Sequence, residues 1–95
     1  MEFEWDEWKN LVNAAKHGVA FEEAREAFDD PNGVLIDDLE HSSVREQRYW
    51  LIGQTAGRML LIVFTYRLAR ARLISARPAH RKERDIYEKK KMEIR

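Results

Sequence analysis

The chain is expected to fold as a small α+β domain in the order β-α-α-β-β-β-β-α. It should carry an antiparallel or mixed sheet, two N-terminal helices and one C-terminal helix. Three observations carry that expectation. Apolar residues recur at helical spacing over the first third of the chain. From residue 34 onward they gather in short runs punctuated by turn residues. The links between those runs are short, so neighbouring strands should pair as hairpins, with the helices on one side of the sheet. Ninety-five residues make one domain, 1–95, whose end, 89–95, reads as a disordered basic tail. A chain of this size leaves much of its surface in water and gains stability from any partner that covers it.

Phe3-Glu4-Trp5 alternates apolar and polar and reads as a short strand. Asp6 stands where an N-cap carboxylate can accept from a free backbone N–H of the next turn. Trp8, Leu11, Val12 and Ala15 then recur at helical spacing and form the face expected to pack inward, with Trp5 and Trp8 in the core. Gly18 ends this helix at the left-handed position, and Lys16 and His17 occupy its last turn, where the helix dipole favours positive charge. Phe21, Ala24 and Phe28 mark a second helix with Glu22 and Glu23 in its first turn. Residues 29–33, DDPNG, form a turn, and Val34-Leu35-Ile36 reads as a buried strand. A polar loop follows over 38–46. Residues 48–52 form a strand closed by Gly53, and 53–57 form a hairpin loop. Residues 59–66 are apolar on both faces, which marks the central strand. The chain turns at 67–70. The strand 71–76 carries Arg70 and Arg72 on the face of Ile74, and Pro78 ends it. A last helix starts near Ala79 and frays into Lys89-Lys90-Lys91.

The chain has no cysteine. That excludes disulfides, thiolate metal sites and a cysteine nucleophile, and it fits a cytoplasmic location. The opening MEFEWDEW has neither the basic nor the apolar region of a signal peptide, and the longest apolar run, 59–64, is too short to span a membrane. Net charge is zero, but residues 1–47 hold 13 acids against 4 bases, and residues 48–95 hold 13 bases against 4 acids. This polarity admits two readings: a polyanion or charged-chain partner, or an acidic helical half that covers a basic sheet.

No glycine-rich phosphate loop, paired-histidine metal spacing or Ser–His–Asp pattern is present, so neither metal nor cofactor is expected. Arginines, three histidines, carboxylates and a tyrosine remain. That inventory suits RNA cleavage, which needs a base for the ribose 2′-OH, cations for phosphoryl charge and an acid for the departing 5′-oxygen. Arg72 and Arg77 are the candidate phosphate holders, since a guanidinium grips phosphate through two parallel hydrogen bonds. Glu83 shares a helical stripe with Ala79, Ile86 and Tyr87 and needs a cationic partner, Arg77 or Arg72; a structural ion pair is the plainer role for it. His17 is the candidate acid or base, and a residue that only caps the carbonyls at the end of its helix is the plainer role for it. His80 stands near Arg77 and Arg81. His41 lies in the polar loop and is assigned no role.

Phe3-Glu4-Trp5-Asp6, Lys16-His17-Gly18-Val19, Phe21-Glu22-Glu23-Ala24 and Phe28-Asp29-Asp30-Pro31 together resemble the opening of the BrnT family of toxins. The pattern continues through Gly53 and Gly57-Arg58 and closes with Ile74-Ser75-Ala76-Arg77, Arg81, Glu83-Arg84 and Tyr87-Glu88, covering residues 3 to 88 in order. The resemblance implies a RelE-like fold and a ribonuclease toxin of a type II toxin–antitoxin module whose RNA cleavage arrests growth. It implies a BrnA-like ribbon-helix-helix antitoxin, a heterotetramer built through it, and contact with DNA only through that partner. Its Lys-His-Gly motif falls on Lys16 and His17, its basic strand positions on Arg67, Arg72 and Arg77, and its final helix on Arg81, Glu83 and Tyr87; with the residue chemistry above, His17, Arg72 and Arg77 are expected in catalysis, Lys16, Arg67 and Arg81 in RNA binding, and Glu83 and Tyr87 in supporting roles. The chain departs from the family pattern at Ala20, which removes a side-chain N-cap, at His80, and in the turn at Leu68-Ala69. The competing expectation is a non-catalytic RNA- or antitoxin-binding module acting in transcriptional autoregulation.

Overall fold

A computed structural model of the chain describes residues 1–94. The elements are β1 (Glu2–Glu4), α1 (Glu7–His17), α2 (Phe21–Ala24) running into a 3-10 turn (Arg25–Asp29), β2 (Val34–Asp38), β3 (Arg48–Gln54), β4 (Met59–Arg67), β5 (Arg70–Pro78) and α3 (Arg81–Ile94). The strands form one sheet in the order β1-β5-β4-β3-β2, with β4 at its centre. β1 runs parallel to β5, and the other pairs are antiparallel. The expected α+β order and mixed sheet are therefore those of the molecule. α3 continues through Lys89–Lys91; the last residue of the expected basic tail, Arg95, lies outside the described residues.

The helix boundaries follow their local chemistry. The Asp6 carboxylate accepts from the Lys9 N–H at 3.0 Å, and Gly18 closes α1 at φ 70°. Ala20 begins α2 with no side-chain cap. At α3, Glu83 reaches back to accept from the His80 N–H at 2.7 Å, the returning half of a capping box.

Several expectations are corrected. First, the helices do not lie on one side. Leu60, Ile62 and Phe64 of β4 pack with Phe21, Ala24 and Ala27, whereas Leu61 packs with Val34, Ile52 and Tyr87 on the opposite face. A central strand apolar on both faces requires cover on both, and α3 supplies the second cover. Secondly, α1 does not bury its apolar stripe. Its buried residues are Asn10 and Asn13, while Trp8, Leu11 and Val12 are exposed, so Trp8 is not core. The asparagines face inward because backbone groups there need partners: Asn10 Oδ1 accepts from the Phe21 N–H at 2.7 Å, and Asn13 both donates to Ala76 O and accepts from Ala76 N–H. Trp5 does meet the core, edge-on to Phe21 at 5.9 Å. Thirdly, β2 is an edge strand with Leu35 exposed, and it continues through Asp37 and Asp38. Fourthly, Gly53 lies inside β3, where a Cβ would stand 2.7 Å from Ala27 O; the glycine lets the 3-10 turn rest on the strand. On α3, Ile86 is exposed, and the buried stripe is Glu83 and Tyr87.

Both readings of the charge polarity have physical counterparts. Arg58 grips Glu23 with two bonds of 2.8 Å, and Arg72 bonds Glu4 at 2.6 Å, so part of the basic half is spent on the acidic half. Arg67, Arg81 and Lys82, Lys89 and Lys90 of α3 keep exposed positions.

Candidate active site on the open sheet face

α3 covers only one end of its face of the sheet. The rest is a groove of about 250 Å³ whose walls include Asp38, His41, Arg48, Trp50, Ser75 and Arg77.

A bulge in β5 decides which arginines reach this face. Ladder pairing shifts between Val63 and Phe64 of β4, opposite Ser75 and Leu73, so Ile74 has no partner in the register. In a regular strand, Arg72 and Arg77 would point to opposite faces, because five is an odd spacing. With one residue looped out, Ala71, Leu73 and Ala76 all face the core, and Arg72, Ser75 and Arg77 share the other face. Arg72 stands opposite Thr65 and Arg77 opposite Leu61.

Arg77 bonds Glu83 through Nη1 at 2.8 Å. Burial opposes the Glu83 charge, but Arg77 and the His80 N–H outweigh it and hold the carboxyl below its usual range. The ion pair expected from the helical stripe is thus formed, and only Nη1 of Arg77 is engaged among the described residues. Tyr87 donates to Asp30 Oδ2 at 2.7 Å; burial and this carboxylate push the phenol up to about 12. Asp30 also accepts from the backbone N–H groups of Asn32 and Gln54, so it ties α3 to the turn after the 3-10 segment.

The groove also holds a pair that the sequence reading passed over. Asp38, at the end of β2, is 6% exposed. Its carboxylate faces His41 Nδ1 at 3.1 and 3.0 Å and accepts from Trp50 Nε1 at 3.0 Å and from the His41 backbone N–H at 3.3 Å. Burial disfavours this charge, yet His41 and Trp50 reverse the balance and keep Asp38 ionised below its ordinary range. An ionised carboxylate can only accept, so Nδ1 carries the proton and Nε2 is left for solvent or substrate. The Ser42 hydroxyl pins the loop: it donates to Asp38 O at 2.6 Å and accepts from Arg48 N–H at 2.9 Å. The imidazole is 58% exposed, held from beneath and open above. The available signal was Asp38-x-x-His41-Ser42, a carboxylate at a strand end positioned to bond both the backbone and the ring of the third residue on.

The remaining candidates lie apart. Lys16 and His17, at the C-terminus of α1, line a second groove with Ile74 and Ser75, around the edge of β5 from Arg77. Arg67 borders a third hollow with Arg45, Tyr49 and Tyr66. Arg81 is exposed at the start of α3. Among the described residues, no group of three His, Cys, Asp or Glu is placed to hold a metal ion, and no helix is long and apolar enough to cross a membrane.

No curated protein matches the chain. A family model described as "Ribonuclease toxin, BrnT, of type II toxin-antitoxin system" matches residues 5–83, a span that includes Asp38, His41, Trp50, Arg72, Arg77 and Glu83. The match spans most of the chain, which therefore belongs to the BrnT family of ribonuclease toxins of type II toxin–antitoxin systems.

Proposed function

We propose that the chain cleaves RNA without a metal on its open sheet face, with His41 moving the proton, Arg77 and Arg48 holding the phosphate, and Arg72, bonded to Glu4, adding its charge to that face. One observation carries this reading: the buried Asp38 carboxylate orients the His41 ring in the groove that Arg48 and Arg77 also line. His41 Nε2 takes the proton of a ribose 2′-OH. O2′ then bonds to phosphorus as the bond to O5′ breaks, which leaves a 2′,3′-cyclic phosphate and a 5′-OH. Asp38 stabilises the imidazolium formed. The departing O5′ takes a proton from solvent. The charge gathering on phosphorus is met by guanidinium groups, which do here what a divalent cation does in metal-dependent nucleases. Trp50, fixed by its bond to Asp38, offers a ring on which a base can stack. Lys16, Arg67 and Arg81, at three margins of the molecule, neutralise phosphates of the flanking nucleotides.

Growth arrest follows from this cleavage in the cytoplasm, and a BrnA-like ribbon-helix-helix antitoxin relieves it in a heterotetramer that touches DNA only through the antitoxin. The test is purified, antitoxin-free chain incubated with RNA in EDTA, wild type beside His41→Ala and Arg77→Ala. The expected result is fragments with cyclic phosphate ends from the wild type and a loss of about 10²-fold or more in either variant. Intact RNA with folded wild-type protein overturns the reading in favour of a binding module. Full activity in His41→Ala moves the proton transfer to His17.

A further inference from the structure

α1 presents to water the stripe that an amphipathic surface helix buries. Trp8 is 71% exposed, Leu11 58% and Val12 45%. Contiguous apolar surface of this kind on a small protein marks a contact site. It borders a groove of about 400 Å³ between α1 and β5, with Trp8, Val12 and Ile74 on its apolar part and Lys9, Lys16 and His17 on its polar part. The groove exists because β1 pairs only with residues 70–72, which leaves the later part of β5, including the bulged Ile74, without a strand along the edge turned away from β4.

The charge on its rim is unusual for its place in the chain. Residues 1–47 hold 13 acids and two lysines, Lys9 and Lys16, and both lysines line this groove with no carboxylate among its lining residues. An occupant therefore needs apolar side chains for Trp8, Val12 and Ile74 and acidic ones for the lysines. We propose that this groove is the docking site of the antitoxin, which fills it with an amphipathic acidic segment. The identity of the occupant rests on membership of a type II toxin–antitoxin family; its chemistry rests on the groove. Ile74 and Ser75 line both this groove and the open sheet face, so a segment seated here ends beside Arg77 and obstructs an RNA strand on that face. RNA is the weaker occupant because the apolar part offers nothing to phosphate. A second copy is weaker still, since a two-fold contact would set Lys9 and Lys16 against a like-charged rim.

The experiment titrates the purified chain with the antitoxin of its toxin–antitoxin module, for wild type, Trp8→Glu/Val12→Glu and Lys9→Glu. All three positions are solvent-exposed, so thermal melting is expected to stay at the wild-type value. Antitoxin affinity should fall by about 100-fold or more in the double variant and about 3–10-fold in Lys9→Glu, with the RNA cleavage rate unchanged. Binding of the double variant within threefold of wild type overturns the proposal, as does a wild-type chain that does not bind the antitoxin. Loss of RNA cleavage with antitoxin affinity intact assigns the groove to RNA. A wild-type dimer that the double variant splits assigns it to a second copy. A wild type that binds the antitoxin but cuts no RNA, with affinity lost in the double variant, sinks the ribonuclease mechanism and leaves the docking site standing.

Discussion

The two faces of the sheet are made by the same strands and do different work. Towards α1 and α2 the face is closed. Phe28 meets Phe3 and Phe64 edge-on at 4.9 and 5.0 Å, and Leu60, Ile62, Phe64 and Phe21 are almost wholly out of water. Towards α3 the face is half closed. Tyr87 covers Ile52 and Leu61, and beyond it the surface passes to carboxylates, guanidinium groups, an imidazole and an indole. The open face gives up apolar burial and keeps its polar groups paired: among the described residues no buried side-chain nitrogen or oxygen lacks a hydrogen bond. Stability is thereby concentrated on one face and charge on the other. Substitutions on the two faces should then move different observables.

Phe64→Ala should have the largest effect. It removes a ring at the centre of the closed face and should cost about 3–5 kcal/mol in urea unfolding. A loss under about 1 kcal/mol would mean that this face does not carry the fold. His41→Ala should behave in the opposite way, with RNA cleavage reduced by about 10²–10⁴-fold and stability lowered by only about 1 kcal/mol, the loss of the ring's bond to the buried Asp38 carboxylate. An equal loss of both would erase the contrast between the faces. Glu83→Gln tests the boundary, because Glu83 joins α3 to Arg77. The charge should contribute about 2 kcal/mol, which the variant lacks at pH 7. The sign follows from a folded pKa held below the ordinary 4.5: the stabilisation is complete above that value and disappears as pH falls through the lower folded value. The gap between wild-type and variant melting temperatures should therefore close in acid; a gap that persists would make the ion pair irrelevant to docking. The smallest effect is expected at the β4–β5 turn, far from either face. Leu68 and Ala69 hold left-handed φ values of 51° and 66°. Ala69→Gly removes a steric cost and should raise stability by about 1 kcal/mol with cleavage unchanged.

Much of the frame was legible in the residues, for local reasons. Asp6 and Gly18 bracket α1, the turn at 29–33 separates helix from strand, and the doubly apolar run of β4 identifies the sheet's centre. The Arg77–Glu83 pair was also readable, since a carboxylate on an apolar helical stripe demands a cation. The orientation of α1 was not. Periodicity reports which residues are apolar, and it is silent on the backbone of β5, whose free N–H and C=O at Ala76 draw Asn13 inward and turn Trp8 outward.

By itself the sequence determined the family, the order of the elements, the central strand and the helix caps, because each of these depends on spacings within a few residues or on motifs contiguous in the chain. Three matters depended on contacts between distant segments. The bulge at Ile74, which brings Arg72 and Arg77 to one face, arises from pairing with Val63 and Phe64. The site around His41 needs Trp50 from the neighbouring strand to complete the bonding of Asp38. The apolar stripe of α1 is exposed because the free edge of β5 takes hydrogen bonds from asparagine in preference to contacts with tryptophan, and an unpaired backbone amide in the interior costs more than an indole left in water.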